Sequence, residues 1–523
     1  MTADKPTDFD DVLKNFNVFG RYHLVFLFFT FFAFAANSVF CNNYVFAAQE
    51  IGYRCSDETF GKDACYSIGN DNRTIRCTEW VYDNPNSFVA EFQLACQEWK
   101  RTLVGTVHSF GYMVGLLVVG PMSDRLGRKL TLVITGVLGG LLGLARSFTT
   151  WYWLYIVLEF LEAAVGDNCS PMFILTIEVV STKKRALFYV LCGFGYTFGG
   201  IMLPTAAWIF PYWRTFLRVI YTPALFFFLY LYAIDESPRW LLTKGKKEKA
   251  ITIIEKAAAK NKIEIDRAVL EKLQYEEEKS IRFLELLKMT FSSKTLTTRC
   301  LICIIWWTTS TFVNFGLTIN SVSLQGNMYL NYMLMSLVDI PGNIIIIYIL
   351  NNFKRKMPLI TSFIVGAVLC FSQPFIPSYL PWLSISFYMA GKLMSSFYFS
   401  ITYMFTSELF PTYTRNSMHA LCSSIGRIGS MVAPQTPLLM HYWPGLPPLV
   451  FGGVSLVAGL VTFLVPDTAD NSLPNTVKQA EALGNSITLK EHIEEKGKVN
   501  LAFSKEDTGI NLVVNRESNL SRL

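Results

Sequence analysis

The sequence predicts an all-α membrane protein, with twelve transmembrane helices in two pseudo-symmetric six-helix bundles. Three observations predict it. Hydrophobic residues make up 51% of the 523, and they gather into runs of roughly 20, the length that crosses ~30 Å of hydrocarbon. Basic residues alternate from one connection between runs to the next. Motifs at the ends of runs recur six runs later. Only 16% of residues are charged while 15% are aromatic, a balance that a soluble chain of this length would not carry.

Taken in order, the spans read as 21–41, 103–121, 130–148, 151–176, 186–210, 213–234, 299–320, 328–350, 358–378, 381–410, 415–441 and 446–465. Basic clusters at Arg125, Arg128 and Lys129, at Lys183, Lys184 and Arg185, at 244–249, at Lys354, Arg355 and Lys356, and at Arg415 fall in one set of connections. The alternate short connections, 321–327, 379–380 and 442–445, carry no Lys or Arg. The positive-inside rule then places both termini in the cytoplasm. It also accounts for the net charge of +6 without any nucleic-acid partner. The first twenty residues are polar and acidic, without an apolar stretch or a small-residue cleavage site, so the first span reads as a retained anchor.

The expected organisation is therefore a cytoplasmic N-terminus (1–20), an N-terminal bundle (21–234) holding an outer loop (42–102), a cytoplasmic linker (235–298), a C-terminal bundle (299–465) and a cytoplasmic tail (466–523). The outer loop contains Cys55, Cys65, Cys77 and Cys96, an even set in an oxidising compartment. Two disulfides are expected, with three connectivities open. Asn72-Arg-Thr74 in the same loop is an N-glycosylation acceptor. Cys169, Cys300, Cys303 and Cys370 fall inside spans or at their edges and read as small apolar packing residues. The linker is charged and helical in pattern over 244–272, continuing to Lys279. The tail is polar, lacks a clear core and is expected to be largely disordered.

The halves repeat each other. Glu178-Val-Val-Ser-Thr-Lys-Lys-Arg185 ends span four, and Glu408-Leu-Phe-Pro-Thr-Tyr-Thr-Arg415 ends span ten, with Glu, Thr and Arg at the same offsets. Asp124-Arg-Leu-Gly-Arg-Lys129 after span two has a degraded counterpart in Asn351-Asn-Phe-Lys-Arg-Lys356 after span eight. Asp235-Glu-Ser-Pro after span six faces Pro466-Asp-Thr after span twelve. Duplicated six-helix halves with cargo held between them are the build of a secondary transporter.

Four segments carry a family resemblance. They are the basic turn 120–129, Glu236-Ser-Pro-Arg-Trp-Leu241, Thr406-Ser-Glu-Leu-Phe-Pro-Thr412 with Arg415, and Leu473-Pro-Asn-Thr476. Together they resemble the organic-ion transporters (solute carrier family 22) of the major facilitator superfamily, over about residues 20–480. The chain looks most like divergent invertebrate members similar to organic cation transporters. The resemblance implies the major facilitator fold and carriage of organic cations, zwitterions or organic anions across the plasma membrane. A proton or a counter-anion is the implied exchange partner. Sugar porters share the basic turn, but span seven, Trp306-Trp-Thr-Thr-Ser-Thr-Phe-Val-Asn-Phe-Gly316, lacks their glutamine-rich pattern.

Arg427 is the leading substrate contact. It sits mid-span, sharing a helix face with Ser423, Ser424, Ser430 and Pro434. A charged side chain there is tolerated only against a cavity or a partner, and a guanidinium can grip a carboxylate with two hydrogen bonds. By resemblance, anion and carnitine carriers have Arg at this position and cation carriers an acid. Asn343 stands where anion carriers often have Lys, which argues against dianions. Phe399 and Tyr403 in span ten, on one side with Thr406, and Phe315 in span seven match the family's cargo-lining aromatics. Their faces would receive flat or cationic groups. The competing reading for all of these is plain packing.

Glu159, Glu162 and Asp167 in span four, and Asp339 in span eight, are intramembrane acids that pair, bind a cation or take a proton. Glu159 and Glu162 share a face, and with Asp339 they are candidate coupling residues. By resemblance, the family has Arg near position 159, closing a relay with the Asp of the basic turn. An acid there removes the positive partner and disturbs the inner gate. Asp124, Arg125, Arg128, Glu178, Arg185, Glu408 and Arg415 are expected to latch the cytoplasmic mouth across the two halves. Lys392 either snorkels to the outer interface or faces the cavity. The five His residues are too scattered for a metal site, and there is no nucleotide-binding Gly-Lys-Ser/Thr loop. No cofactor and no enzyme chemistry are expected. The alternative to a carrier is a transport-inactive sensor or scaffold, motivated by the altered position 159 and the degraded second basic turn.

Overall fold

A computed structural model describes residues 12–13, 16, 20–56, 65–68, 74–181, 185–271, 291–377, 379–468, 474 and 477–482. Asn72, Lys183, Lys184, Lys279, most of the 473–476 motif and the tail beyond 482 lie outside the described residues, as does the side chain of Arg185.

The helices run α1 (Arg21–Asn42), α2 (Tyr44–Ala47), α3 (Phe88–Glu91), α4 (Glu98–Leu126), α5 (Arg128–Arg146), α6 (Tyr152–Val165), α7 (Cys169–Val179), α8 (Arg185–Ile209), α9 (Trp213–Tyr221), α10 (Tyr230–Ala233), α11 (Pro238–Thr243), α12 (Lys247–Asn261), α13 (Arg267–Glu271), α14 (Lys294–Asn320), α15 (Met328–Asn352), α16 (Lys356–Ser372), α17 (Pro381–Leu409), α18 (Thr412–Val432), α19 (Leu446–Thr462) and α20 (Val477–Ala482). Among the described residues, eight helical segments are long and apolar enough to cross a membrane. The other four expected spans coincide with α6 and α7, α17, α18 and α19.

Two of these depart from a single straight span, for local reasons. Span four is two helices, α6 and α7, because Gly166-Asp167-Asn168 interrupts it. The Asp167 carboxylate accepts the backbone N–H groups of Cys169 and Ser170, each at 3.2 Å, and so satisfies amides at the start of α7 that have no partner within the helix. The eleventh span leaves α-geometry after Val432 and continues as a 3₁₀ segment, Ala433–His441. Pro434 and Pro437 lie in it and donate no N–H. The sixth span likewise passes through a 3₁₀ segment, Thr222–Leu229, between α9 and α10.

The packing repeats between halves. In the first half α1 lies on α8, α4 on α6, and α5 on the Thr222–Leu229 segment. In the second, α14 lies on α18, α15 on α17, and α16 on α19. These are the same pairings displaced by six spans. The halves meet where α8 crosses α15 and where α4 crosses α18 and the Ala433–His441 segment.

Outside the membrane, β1 (Tyr53–Cys55) pairs antiparallel with β4 (Trp80–Tyr82), and β2 (Tyr66–Ile68) with β3 (Thr74–Arg76). Disulfides join Cys55 to Cys77 and Cys65 to Cys96, one of the three connectivities that spacing leaves open. At the other end of the bundle the basic turn and the 236–241 motif form one unit. Gly127 has φ +103°, a conformation a side chain resists, and a Cβ there would come within 2.4 Å of the Glu236 carboxylate. That carboxylate accepts the N–H groups of Arg128 and Ser237 at 3.0 Å and of Lys129 at 3.2 Å, capping α5. Trp240 Nε1 donates to the Asp124 carbonyl at 3.0 Å. Burial pushes the Glu236 carboxyl above the usual carboxylate range, against the downward pull of these three amides.

Candidate functional site: a charged cavity between the halves

Midway along the helices, a cavity of 270 Å³ opens between the halves. From the first half its wall includes Asn37, Cys41, His108, Tyr112 and Tyr196. From the second it includes Asn314, Phe315, Asp339, Lys392, Phe399 and Arg427. The Arg427 guanidinium lies 5.1 Å from the Tyr112 ring centroid, a cation–π contact that joins α18 to α4.

Lys392 faces inward. It is 4% exposed, and its ammonium donates to Asn314 Oδ1 at 2.8 Å and to Thr318 Oγ1 at 3.0 Å. This removes the snorkelling alternative. Asp339 accepts the Ser396 hydroxyl at 2.6 Å. Two expected residues lie elsewhere. Tyr403 is half exposed and packs edge-on against Trp307 and His419. Asn343 sits on the seam between halves, where a Cβ on Gly193 of α8 would come within 3.2 Å of its Nδ2. Thr406 is buried and accepts Trp307 Nε1 at 3.1 Å. Trp307 also touches Phe399 and so packs behind the aromatic wall, between Phe399 and Tyr403.

Glu159 and Glu162 have a positive partner of their own. Both are buried, and Arg146 from the end of α5 forms ion pairs with each, to Glu162 at 3.8 Å. His108 Nδ1 lies 2.8 Å from Glu159 Oε1 and 3.7 Å from Glu162 Oε2. Arg146 also donates to the Tyr221 hydroxyl at 2.6 Å and to Asn43 Oδ1 at 3.4 Å. The cluster lies toward the end of the bundle where α6 begins with Tyr152, the end opposite the basic turn. Among the described residues, His108, Glu159 and Glu162 are the group whose ligand atoms could converge on a metal ion. Arg146 already occupies both carboxylates, so the group reads as a salt-bridge network.

At the helix ends that carry the basic turns, Arg128 and Arg355 each pair within their own half. Arg128 meets Glu178 at 3.2 Å and Asp124 at 3.0 Å. In the second half Arg355 meets Glu408 at 3.2 Å, and Glu408 also accepts the Thr468 hydroxyl at 2.6 Å. Arg355 stands in the second basic turn at the offset of Arg128 in the first. That turn is therefore altered in sequence yet keeps its working cation. Arg125 is exposed and Arg415 is half-buried.

At the helix ends opposite the basic turns the halves are in contact. Thr102 donates to Gln435 Oε1 at 2.9 Å, and Gln435 Nε2 donates to Thr106 Oγ1 at 2.7 Å. Gly105 allows this approach. A Cβ there would come within 2.6 Å of the Tyr44 ring and 2.7 Å of Pro434.

Sequence reasoning passed over His108, Arg146, Tyr112, Trp307, Arg355 and Gln435. The signal for two of them was present. His108 and Arg146 both fall inside expected spans, where an ionisable residue demands a partner.

The major facilitator superfamily model matches residues 26–434. An organic cation transporter protein of Drosophila melanogaster is 31% identical over 447 residues, covering 82% of this chain and 80% of that protein. Human solute carrier family 22 member 2 is 31% identical over 422 residues, covering 79% of this chain and 75% of that protein. Among solved structures, the inward-open xylose transporter XylE from E. coli superposes with a TM-score of 0.61 at 18% identity, over 88% of this chain and 100% of that one. That likeness concerns the fold alone. The chain is a multi-pass membrane transporter that belongs to solute carrier family 22 of the major facilitator superfamily.

Proposed function

We propose that this protein carries small organic ions (organic cations, zwitterions or monoanions) across the plasma membrane by alternating access, with both termini in the cytoplasm and a proton or a counter-anion as exchange partner. One observation carries the reading. The cavity between the halves presents both signs of charge, Arg427 and Lys392 beside Asp339, together with the aromatic faces of Phe315 and Phe399. Such a wall suits a small ion with an apolar body better than a sugar. The contacts between halves on the outer side, with cytoplasmic ion pairs closed within each half, support an inward-facing state. Arg128 with Glu178 and Arg355 with Glu408 would then stiffen each half as it rocks, with Asp124, Arg125 and Arg415 as further gating charges and Arg185 expected among them from the sequence repeat alone.

Arg146 and Arg355 remove the two features that favoured a sensor or scaffold, and the named relatives are carriers. Reconstitution in vesicles decides between flux and sensing. Labelled uptake of one cation, one zwitterion and one monoanion is expected for at least one class, with Arg427→Ala slowing the carboxylate-bearing members most. Saturable binding with no entry of any of the three would leave a sensor.

A further inference from the structure

We infer that His108, held by Glu159, Glu162 and Arg146, is a proton site whose occupancy alternates with that of an organic cation in the cavity, so that the carrier exchanges one for the other. This deepens the carrier reading above and rests on it. The starting point is charge balance. Among the described residues around the cavity and the adjoining cluster, Arg146, Lys392 and Arg427 face Glu159, Glu162, Asp167 and Asp339. Three cations against four carboxylates leave one negative charge within the membrane. An uncompensated charge at such depth is expensive. A proton on His108 cancels it, and so does a monovalent cation in the cavity. Both together would leave an excess positive charge, so each opposes the other.

The local geometry places the proton. Nδ1 of His108 lies against the Glu159 carboxylate at 2.8 Å, and a carboxylate only accepts, so Nδ1 carries a hydrogen in either state. Nε2 is buried without a hydrogen-bond partner, and its lone pair is where the second proton is taken and lost. The ring itself borders the cavity. One turn along α4, Tyr112 lies under Arg427. Other groups face the site from every side. They are Tyr44 from α2, with its ring 5.6 Å away, Arg146 from α5, Tyr155, Glu159 and Glu162 from α6, Tyr221 from α9, Cys41 from α1, Asp167 from the α6–α7 break, and Arg427 from α18. Of these only the carboxylates and guanidiniums bring charge, and they are already in the balance. Tyr44 also packs against Gly105 at the outer closure, so the proton site adjoins the element that must move when the cavity opens outward. No bond beyond N–H forms or breaks. The proton enters from, and leaves to, the water on whichever side the cavity faces.

Tetraethylammonium is a suitable probe because it has no proton of its own. The full-length protein is reconstituted in liposomes with the membrane potential clamped by potassium and valinomycin. An interior about one pH unit more acidic than the medium should hold tetraethylammonium about tenfold above the outside level, as reciprocal coupling of one proton to one cation requires. In weakly buffered detergent solution, adding the cation to the wild-type protein should release a proton, read by a pH indicator. His108→Gln should abolish both signals, and Glu162→Gln, which removes the surplus charge by another route, should abolish the pH-driven accumulation. Exchange of labelled for unlabelled probe at equal pH tests the carrier reading separately. Exchange without pH-driven accumulation, or accumulation that persists in both variants, overturns the proton site alone. Absence of exchange for tetraethylammonium, a zwitterion and a monoanion overturns the carrier reading and the proton site with it.

Discussion

Arg146 is buried within the bundle, with two carboxylates, a tyrosine hydroxyl and an asparagine around it. Removing one member of a buried ion pair leaves the other uncompensated and costs about 3–5 kcal/mol. Arg146→Gln should therefore lower the thermal midpoint of the detergent-solubilised protein sharply. Adding Glu159→Gln should restore part of the loss, because the orphaned charge goes with it. Arg427 is different in kind. It borders the cavity and rests on a ring, so Arg427→Ala should leave the melting temperature nearly unchanged. Losing a charge-assisted contact worth roughly 1.5–3 kcal/mol should reduce uptake of a carboxylate-bearing substrate about tenfold to a hundredfold. Uptake of a simple cation should fall less, and a flux ratio between the two substrates reads the difference.

At the level of elements, the basic turn is more than a run of positive charge. Gly127 turns the chain at φ +103°, and Glu236 from the far end of the half caps the helix that starts there. Gly127→Ala should cost about 1–3 kcal/mol through strain at that position and through collision with the Glu236 carboxylate. A differential melt of the two proteins in one detergent measures it. Cap and turn lie more than 100 residues apart in sequence, and their pairing was not legible from either motif. The motifs themselves were legible, since a glycine in a basic turn and an acid before Ser-Pro are local features. The second turn taught the reverse. Its missing glycine and aspartate looked like decay, yet Arg355 reaches Glu408 as Arg128 reaches Glu178. A single cation at the right offset keeps the function of a motif whose letters have changed.

For the molecule as a whole, the outer closure sets which side the cavity faces. Gln435 makes two hydrogen bonds across the halves, accepting from Thr102 and donating to Thr106. Net contributions of about 0.5–1.5 kcal/mol each mean that Gln435→Ala should raise the outward-facing population roughly fivefold or more. A cysteine at Ser109, placed in a Cys41→Ala, Cys169→Ala background, should then react faster with a membrane-impermeant maleimide added outside. An unchanged labelling rate would mean that Gly105, Tyr44 and Pro434 hold the closure by packing alone. The repeated pairings, first span on fifth, second on fourth and third on sixth in each half, make such rocking economical. Each half moves as one packed unit around a cavity that both supply.

The sequence by itself determined the class of molecule and the placing of its helical spans along the chain. Span length, the alternation of basic clusters and the internal repeat are properties of short stretches, and the bilayer imposes them directly on the chain. It also singled out Arg427, Phe315, Phe399 and Asp339, which the fold brings to one cavity. Only the tertiary structure decided partnerships: Arg146 with Glu159 and Glu162, Lys392 with Asn314, Cys55 with Cys77, Tyr403 with Trp307 and His419. Those depend on which faces of separate helices meet across a few ångströms. An error of one residue in a helix start turns each face by 100°, so no local pattern can carry that information.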